Sequence, residues 1–398
     1  MKQVPSPGLS AAAVVPEKFH SIDAVRGIAA LSVVVYHWQH MYDLPGGSIA
    51  TRLDFTARPL YWLLFPLYRG GWIAVDFFFT ISGFIFFWMY QSKIRDRSIG
   101  AKTFSVLRLS RLYPLHIATL LFVAAMQHGI AKAGHPPFIY AANDAKHFVL
   151  NLFFAQTWRF ENVHSFNGPS WSVSIEVFLY ALFFLFLKVS PRVSPLAIVL
   201  ISLLGIPFMA VDTKMGIGVT CFFAGGWVWH AWESAKASAR ARLLTRLAAG
   251  IAALGWIAGV IEIRWGAFTS IVSIASTHLS PPYSTWLEHQ SSDVVLTVMR
   301  IVVLPLTIFA LVMHETGGCA FYRRVSRIGD ITFASYLLHF PIQISIAAAV
   351  IATGASASWF QSGFGMIAFF AILIAVSFAC FRWFERPTQR MLRGFFLR

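Results

Sequence analysis

The sequence predicts an all-α bundle of about ten membrane-spanning helices, with both termini in the cytoplasm. Three observations carry this reading. Of the 398 residues, 57% are apolar and only 12% charged, and the mean hydropathy is +0.64, a composition foreign to soluble domains of this length. Apolar runs of about twenty residues, enough to cross roughly 30 Å of hydrocarbon, recur along the chain. Between them, Lys and Arg alternate in density from one connecting segment to the next.

Taken in order, the apolar runs place spans near residues 22–42, 72–91, 104–127, 170–188, 195–211, 215–232, 246–263, 295–314, 329–351 and 362–381. They make one membrane domain, 21–387, between a cytoplasmic tail of residues 1–20 and a basic cytoplasmic tail of residues 388–398. Residues 1–19 are polar and lack the compact apolar core of a signal peptide, so the first span stays as an anchor. With the N-terminus inside, 22 Lys and Arg fall on inner segments, Lys2, Arg192 and Arg398 among them. Nine fall outside: Arg52, Arg58, Arg69, Lys132, Lys146, Arg159, Lys214, Arg264 and Arg300. The net charge of +15 thus fits a lipid bilayer as partner. It argues against nucleic acid, because the basic residues sit in short loops and not on one polar face. Cys221, Cys319 and Cys380 show no metal-ligand spacing, so neither zinc nor a disulfide framework is expected. The outer segments 43–71, 128–169 and 264–294 are long and rich in turn formers (Pro45-Gly46-Gly47, His135-Pro136-Pro137, Pro281-Pro282), as binding surfaces or lids are. Phe148 to Trp158 is apolar but too short to span and reads as interfacial or re-entrant.

The chemistry concentrates in a few places. The first span, Ser21 to Tyr42, carries Asp23, Arg26, His37 and His40. In a helix the eleven steps from Arg26 to His37 return to nearly the same face, about 16 Å further along the axis. Asp23 lies one turn from Arg26 and can pair with it. Ionisable groups in a span need a partner or a polar cavity, which marks them as a candidate site; the structural alternative is a paired arginine near the membrane edge and a hydrogen-bonded histidine. Asp76, flanked by Val75 and Phe77, likewise needs a partner. Ser82-Gly83 is a small pair that lets helices approach, and no nucleophile elbow surrounds Ser82.

Arg108 and Arg111 share a face at the expected cytoplasmic end of the third span, followed by Pro114 and His116. Two guanidiniums there suit a multiply charged phosphate ligand, or anionic lipid headgroups. In Gly168 to Phe184, Trp171 falls at the interface and Glu176 about two turns inside the membrane. Gly329 to Gln343 puts His339 and Pro341 mid-membrane, and near the C-terminus Glu385 reads as a surface partner of Arg382 or Arg386. The sequence holds no phosphate-binding glycine loop, His-Glu-x-x-His or dinucleotide fingerprint.

In sequence order these segments resemble the acyltransferase 3 family, polytopic membrane enzymes that acylate sugars and other acceptors. The resemblance rests on D-A-V-R-G-I-A-A-L with His37 eleven positions after Arg26, G-W-I-A-V-D-F-F-F-T-I-S-G-F, the R-x-x-R of Arg108 and Arg111, G-P-S-W-S-V-S-I-E, S-Y-L-L-H-F-P and F-E-R-P. Ala74 and Ile81 depart from the family's usual Gly and Leu without changing chemistry. The resemblance implies transfer from cytoplasmic acyl-CoA, acetyl-CoA by family frequency, to a hydroxyl of a sugar or exopolysaccharide in or outside a bacterial cell membrane. His37 would be the catalytic histidine with Arg26 its partner, and Arg108 and Arg111 the pair linked with the coenzyme. Asp23 would position the site, while Asp76, Ser82, Trp171, Glu176 and His339 would support it or bind the acceptor. Direct transfer with His37 as general base is preferred to an acyl-histidine. A macrolide or lipid acceptor is the alternative, and homo-oligomers are compatible with the sequence. The C-terminal esterase-like domain of many relatives is not expected. A transporter would show inverted repeats, and the sequence has none.

Overall fold

The computed structural model describes residues 18–45, 54–158, 163–190, 193–280, 291 and 293–397, and every regular element among them is helical. Helix α1 (His20–Tyr36) passes into a 3-10 turn, His37–Asp43. Then come α2 (Tyr61–Gly70), α3 (Ile73–Arg95), α4 (Ala101–Lys132), α5 (Ala145–Leu152), α6 (Trp171–Val189) and α7 (Pro195–Phe208). After them follow α8 (Thr213–Ala235), α9 (Ala241–Trp265), α10 (Ala267–Ser276), α11 (Asp293–Thr316), α12 (Thr332–Thr353), α13 (Gly363–Cys380) and α14 (Arg386–Phe396). Among the described residues seven helices are long and apolar enough to cross a membrane: α3, α4, α9 and α11, with Gly168–Val189, Phe321–Thr353 and Gly363–Phe396. The three other expected spans are helical but fall short by that measure. Helix α1 has 17 residues before its turn, α7 has 14, and α8 is diluted by Gly, Trp and His.

Lipid tails are as apolar as leucine, so helices in a bilayer associate through close packing more than through the hydrophobic effect. Helices α3 and α8 show how. A Cβ on Gly83 would run into the Phe222 carbonyl, and one on Gly225 into the Thr80 carbonyl. The two backbones meet through reciprocal glycines, as Ser82-Gly83 predicts. Around this contact Phe84, Phe86, Phe87, Phe183, Phe222 and Phe223 form a buried aromatic cluster. A second cluster gathers Trp38, Met41, Tyr68, Leu120, Phe340 and Phe369. Helices α1 and α12 contribute to both.

Prolines shape the bundle locally. A proline removes a donor and its ring displaces the carbonyl four residues back. Pro305 and Pro387 each follow a five-residue π segment, Met299–Val303 and Phe381–Glu385, which absorbs the clash. Pro341 in α12 instead frees the Leu337 carbonyl, which accepts from Asn167 Nδ2 at 3.0 Å.

Several expectations are corrected. Arg300, counted with the outer charges, is buried in the π segment of α11, where its Nε donates to Asp76 Oδ2 at 2.8 Å. The last basic residues do not form a tail: α14 is a helix whose Arg393 reaches Ser110 and Leu107 on α4. Glu385 forms no ion pair among the described residues, because the π segment turns it toward Cys380 Sγ, 3.9 Å away. The outer segments contain helices α2, α5 and α10, and Phe148 to Trp158 folds as the end of α5 and a turn. Thr157 and Trp158 tie that turn to the Trp171 and Ser174 carbonyls of α6. Lys2, Arg52, Arg159, Arg192, Arg398, Gly46, Gly47, Pro281 and Pro282 lie outside the described residues, as does nearly all of the 1–20 segment.

Two outcomes follow for stability. Gly225→Ala drives a methyl into the Thr80 carbonyl and should cost about 1–3 kcal/mol, seen as a lower Tm in detergent. Gly250→Ala, with open space around it, should leave Tm unchanged. Asp76→Ala strands the buried Arg300 guanidinium and should cost about 3–5 kcal/mol, with recovery when Arg300→Met is added.

Candidate active site

One end of the bundle opens into a cavity of about 600 Å³. It is walled by the starts of α1 and α4, the end of α3, the segment leading into α12, and α14. This is the end that the charge bias assigns to the cytoplasm. Its cations are Lys18, Arg26, Arg108, Arg111, Arg386 and Arg393, against Asp23, Asp330 and Glu385. Asp23 is shared by Lys18 at 2.8 Å and by Arg26 at 3.6 Å, the second of these being the pairing expected from the spacing. Arg108 is held differently. Its guanidinium lies 4.2 Å from the ring centroids of both Phe86 and Tyr90, and its Nε and Nη2 have no hydrogen-bond partner although the residue is only 7% exposed. A buried guanidinium held by aromatic faces, with open donors beside a cavity, suits an anion.

Arg26 and Phe333 also line a second, smaller cavity of about 70 Å³, with Ser82, Ser172, Glu176 and Tyr336. Glu176 Oε1 accepts from Ser82 Oγ at 3.1 Å and from the Tyr180 hydroxyl. The Tyr336 hydroxyl donates to the Pro169 carbonyl at 2.8 Å and accepts from Ser172 Oγ at 2.7 Å. Arg26, Ser82, Glu176 and Tyr336 therefore meet between the cationic cavity and the middle of α12.

One turn beyond Tyr336 lies the histidine cluster, and its hydrogen bonds fix the tautomers. His339 Nδ1 is 2.7 Å from the Tyr336 carbonyl, which only accepts, so Nδ1 carries the proton. In the neutral ring Nε2 is then an acceptor. His37 Nδ1 lies 3.1 Å from it and must donate. The remaining nitrogen of His37, Nε2, is left as a free lone pair, the form a general base requires. The rings of His37 and His339 stack at 5.0 Å and 13°. Gln343 orients the other side: its Nε2 donates to the His37 carbonyl at 3.0 Å, and its Oε1 accepts from His40 Nδ1 at 2.9 Å. The 3-10 turn starting at His37 makes this arrangement, because it swings His40 toward Gln343.

The structure brings Asp23, Arg26, Arg108 and Arg111 to one cavity, and Arg26, Ser82 and Glu176 to the next. It joins His37 to His339. It does not join His37 to Arg26, since no hydrogen bond or ion pair links them among the described residues. Asp76 is engaged by Arg300. Trp171 has Lys214 Nζ 5.5 Å from its ring and accepts from Thr157 through its carbonyl. His116 is structural, its Nε2 donating to the Asn151 carbonyl at 2.8 Å. Sequence reasoning missed Tyr336, Gln343 and Arg300. The first two were within reach: Tyr336, His339 and Gln343 recur at three and four residues and so share one helix face.

Fold and site together define a polytopic helical membrane protein with a cationic cavity at one end of the bundle and a buried histidine pair one turn beyond the smaller cavity. The chain belongs to the acyltransferase 3 family, whose profile, described as an acyltransferase domain, matches residues 19–383. It is similar to acyltransferase MdmB of Streptomyces mycarofaciens, 30% identical over 165 residues, or 41% of this chain and 38% of that protein. It is also similar to protein 2 in the picA locus of Rhizobium radiobacter, 30% identical over 110 residues, or 28% of this chain and 46% of that protein. The matched stretches span less than half the length of these curated relatives. No solved structure matches the chain. Family and apolar helices together make it an integral membrane protein.

The contact with His339 holds the His37 ring in one orientation. His339→Ala should lower the turnover that depends on His37 by about 10-fold or more, within the range that general-base geometry contributes. His339→Gln, which keeps an acceptor near the Nε2 position, should restore part of that loss. Equal loss in both variants would mean that His339 acts only in packing.

Proposed function

We propose that the protein transfers an acyl group, acetyl in the first instance, from acyl-CoA to an acceptor hydroxyl, with His37 as general base. The observation that carries this reading is the placement of α1. Its start borders the cationic cavity through Asp23 and Arg26, and its end presents His37 with Nε2 unprotonated. Eleven helical steps span about 16 Å, comparable to the roughly 15–20 Å of an extended pantetheine arm, an estimate from covalent chain dimensions. The phosphates of CoA would lie against Arg108 and Arg111, and the thioester would reach inward past Arg26 toward the histidines.

In the step itself, the acceptor O–H gives its proton to His37 Nε2 as the oxygen attacks the thioester carbonyl. The tetrahedral adduct collapses with cleavage of the C–S bond. The CoA sulfur leaves and takes back the proton from the imidazolium, so the enzyme ends as it began. His339 accepts from His37 Nδ1–H throughout and stabilises the transient imidazolium. Glu176, held by Ser82 and Tyr180, lies beside Arg26 and offers an acceptor for a hydroxyl of the incoming substrate. We take the acceptor to be a sugar of a surface or exopolysaccharide outside a bacterial cell membrane, with both protein termini in the cytoplasm. A macrolide or lipid hydroxyl would serve the same chemistry.

The test is release of free CoA by the purified protein in detergent, with acetyl-CoA and a series of longer acyl-CoAs. His37→Ala should lower turnover by about 10²–10⁴-fold with the folded fraction unchanged. Wild-type turnover in that variant overturns the assignment. Saturable CoA binding without turnover in the wild type would instead make the acceptor obligatory, and direct transfer the route.

A further inference from the structure

The final helix is part of the cationic cavity and carries its own set of donors. On α14, Arg386, Gln389 and Arg393 recur at three, four and seven residues, so they share one face, and all three line the cavity. The opposite face bears Met391 and Phe395, 65% and 75% exposed, an amphipathic pattern that suits a helix lying in the membrane surface. Two contacts fix the helix to α4. Arg393 Nε donates to Ser110 Oγ at 3.2 Å, and its Nη2 donates to the Leu107 carbonyl at 3.0 Å, on either side of Arg108. The π segment Phe381–Glu385 carries the helix from α13 into α14, which forms this wall of the cavity.

The charges of the cavity divide into two groups. Lys18 and Arg26 pair with Asp23, and Lys18 also reaches Asp330 at 4.0 Å. Arg108, Arg111, Arg386 and Arg393 have no carboxylate within ion-pair distance among the described residues, and Arg108 has two buried donors unused. Four guanidiniums from two helices exceed what one phosphate needs. They fit a ligand with phosphates at two separate places.

CoA has that form, a diphosphate next to pantetheine and a 3′-phosphate on the ribose at the far end. Given the proposed donor, its direction in the cavity follows. Pantetheine must run past Arg26, the residue shared with the inner cavity, and Arg111 lies within electrostatic range of Arg26. That places the diphosphate against Arg108 and Arg111 and the ribose against α14. We propose that Arg386 and Arg393 bind the 3′-phosphate of CoA, so that α14 sets the preference for CoA over its 3′-dephospho form. Arg393 has its Nη1 left for this contact while its other two donors hold the helix.

Calorimetric titration of the full-length protein in detergent with CoA and with 3′-dephospho-CoA tests this. The wild type should bind CoA roughly tenfold more tightly or better, and Arg386→Gln should bring the two affinities close together while leaving that for 3′-dephospho-CoA within about twofold. Arg111→Gln should weaken both ligands alike. Arg390→Gln, which removes a charge that does not line the cavity, should preserve the preference. Arg393→Lys keeps the charge but not the fork, so it should lose the preference and, with its tie to α4 weakened, some Tm. A wild type indifferent to the 3′-phosphate, or a preference intact in both Arg386→Gln and Arg393→Lys, overturns the proposal and leaves the donor reading standing. Failure of the wild type to bind either ligand overturns both.

Discussion

The fastening of α1 is the interaction on which the rest of the site depends. The helix begins where Glu315 of α11 accepts from the backbone N–H groups of His20 and Ser21, both at 2.8 Å, a cap supplied by another helix. In its middle, Gly27 abuts Ile328, and Gly329 abuts the Asp23 backbone, each too closely for a Cβ. At its end Gln343 Nε2 of α12 donates to the His37 carbonyl. Three contacts along one helix set both its height and its rotation. They therefore set where Arg26 and His37 point.

The same helix partner, α12, sets the hydrogen bonding of the histidine pair. Tyr336, His339 and Gln343 follow one face of α12, and the proline at 341 loosens the backbone pattern there. The Leu337 carbonyl freed by that proline is taken by Asn167, while the Tyr336 carbonyl takes His339 Nδ1–H. A backbone acceptor thus determines the protonation pattern of two imidazoles in series. Among the described residues the pair is oriented by neutral groups without a carboxylate, which suits a site surrounded by apolar packing, where an extra charge would be costly.

Charge is treated in two ways within the bundle. Asp76 and Arg300 satisfy one another at 2.8 Å inside the packed helices, and neither lines a cavity described above. Such a pair contributes order more than net stability, because desolvation offsets much of its attraction. At the cationic cavity Arg108 instead rests on aromatic rings and Arg393 on neutral oxygens. The first arrangement satisfies its charges internally; the second leaves guanidinium donors without a protein partner.

The sequence by itself determined the membrane class, the all-helical fold and most of the residues that gather at the two cavities. Hydropathy over twenty residues and the spacing of charges are local quantities, and lipid allows few other solutions for a backbone that must satisfy its own hydrogen bonds. Asp23–Arg26 and Ser82-Gly83 were legible for the same reason, being contacts of one turn or of one small residue. Tertiary structure alone decided the partners of long separation. Arg300 looked like an outer-loop charge until a π segment turned it to Asp76, 224 residues away. The basic residues after Pro387 looked like a tail until α14 met α4. The union of His37 with His339, 302 residues on, depended on which helix packs against the end of α1. Helical periodicity orients side chains only within an element; which faces meet is decided by packing across the whole bundle.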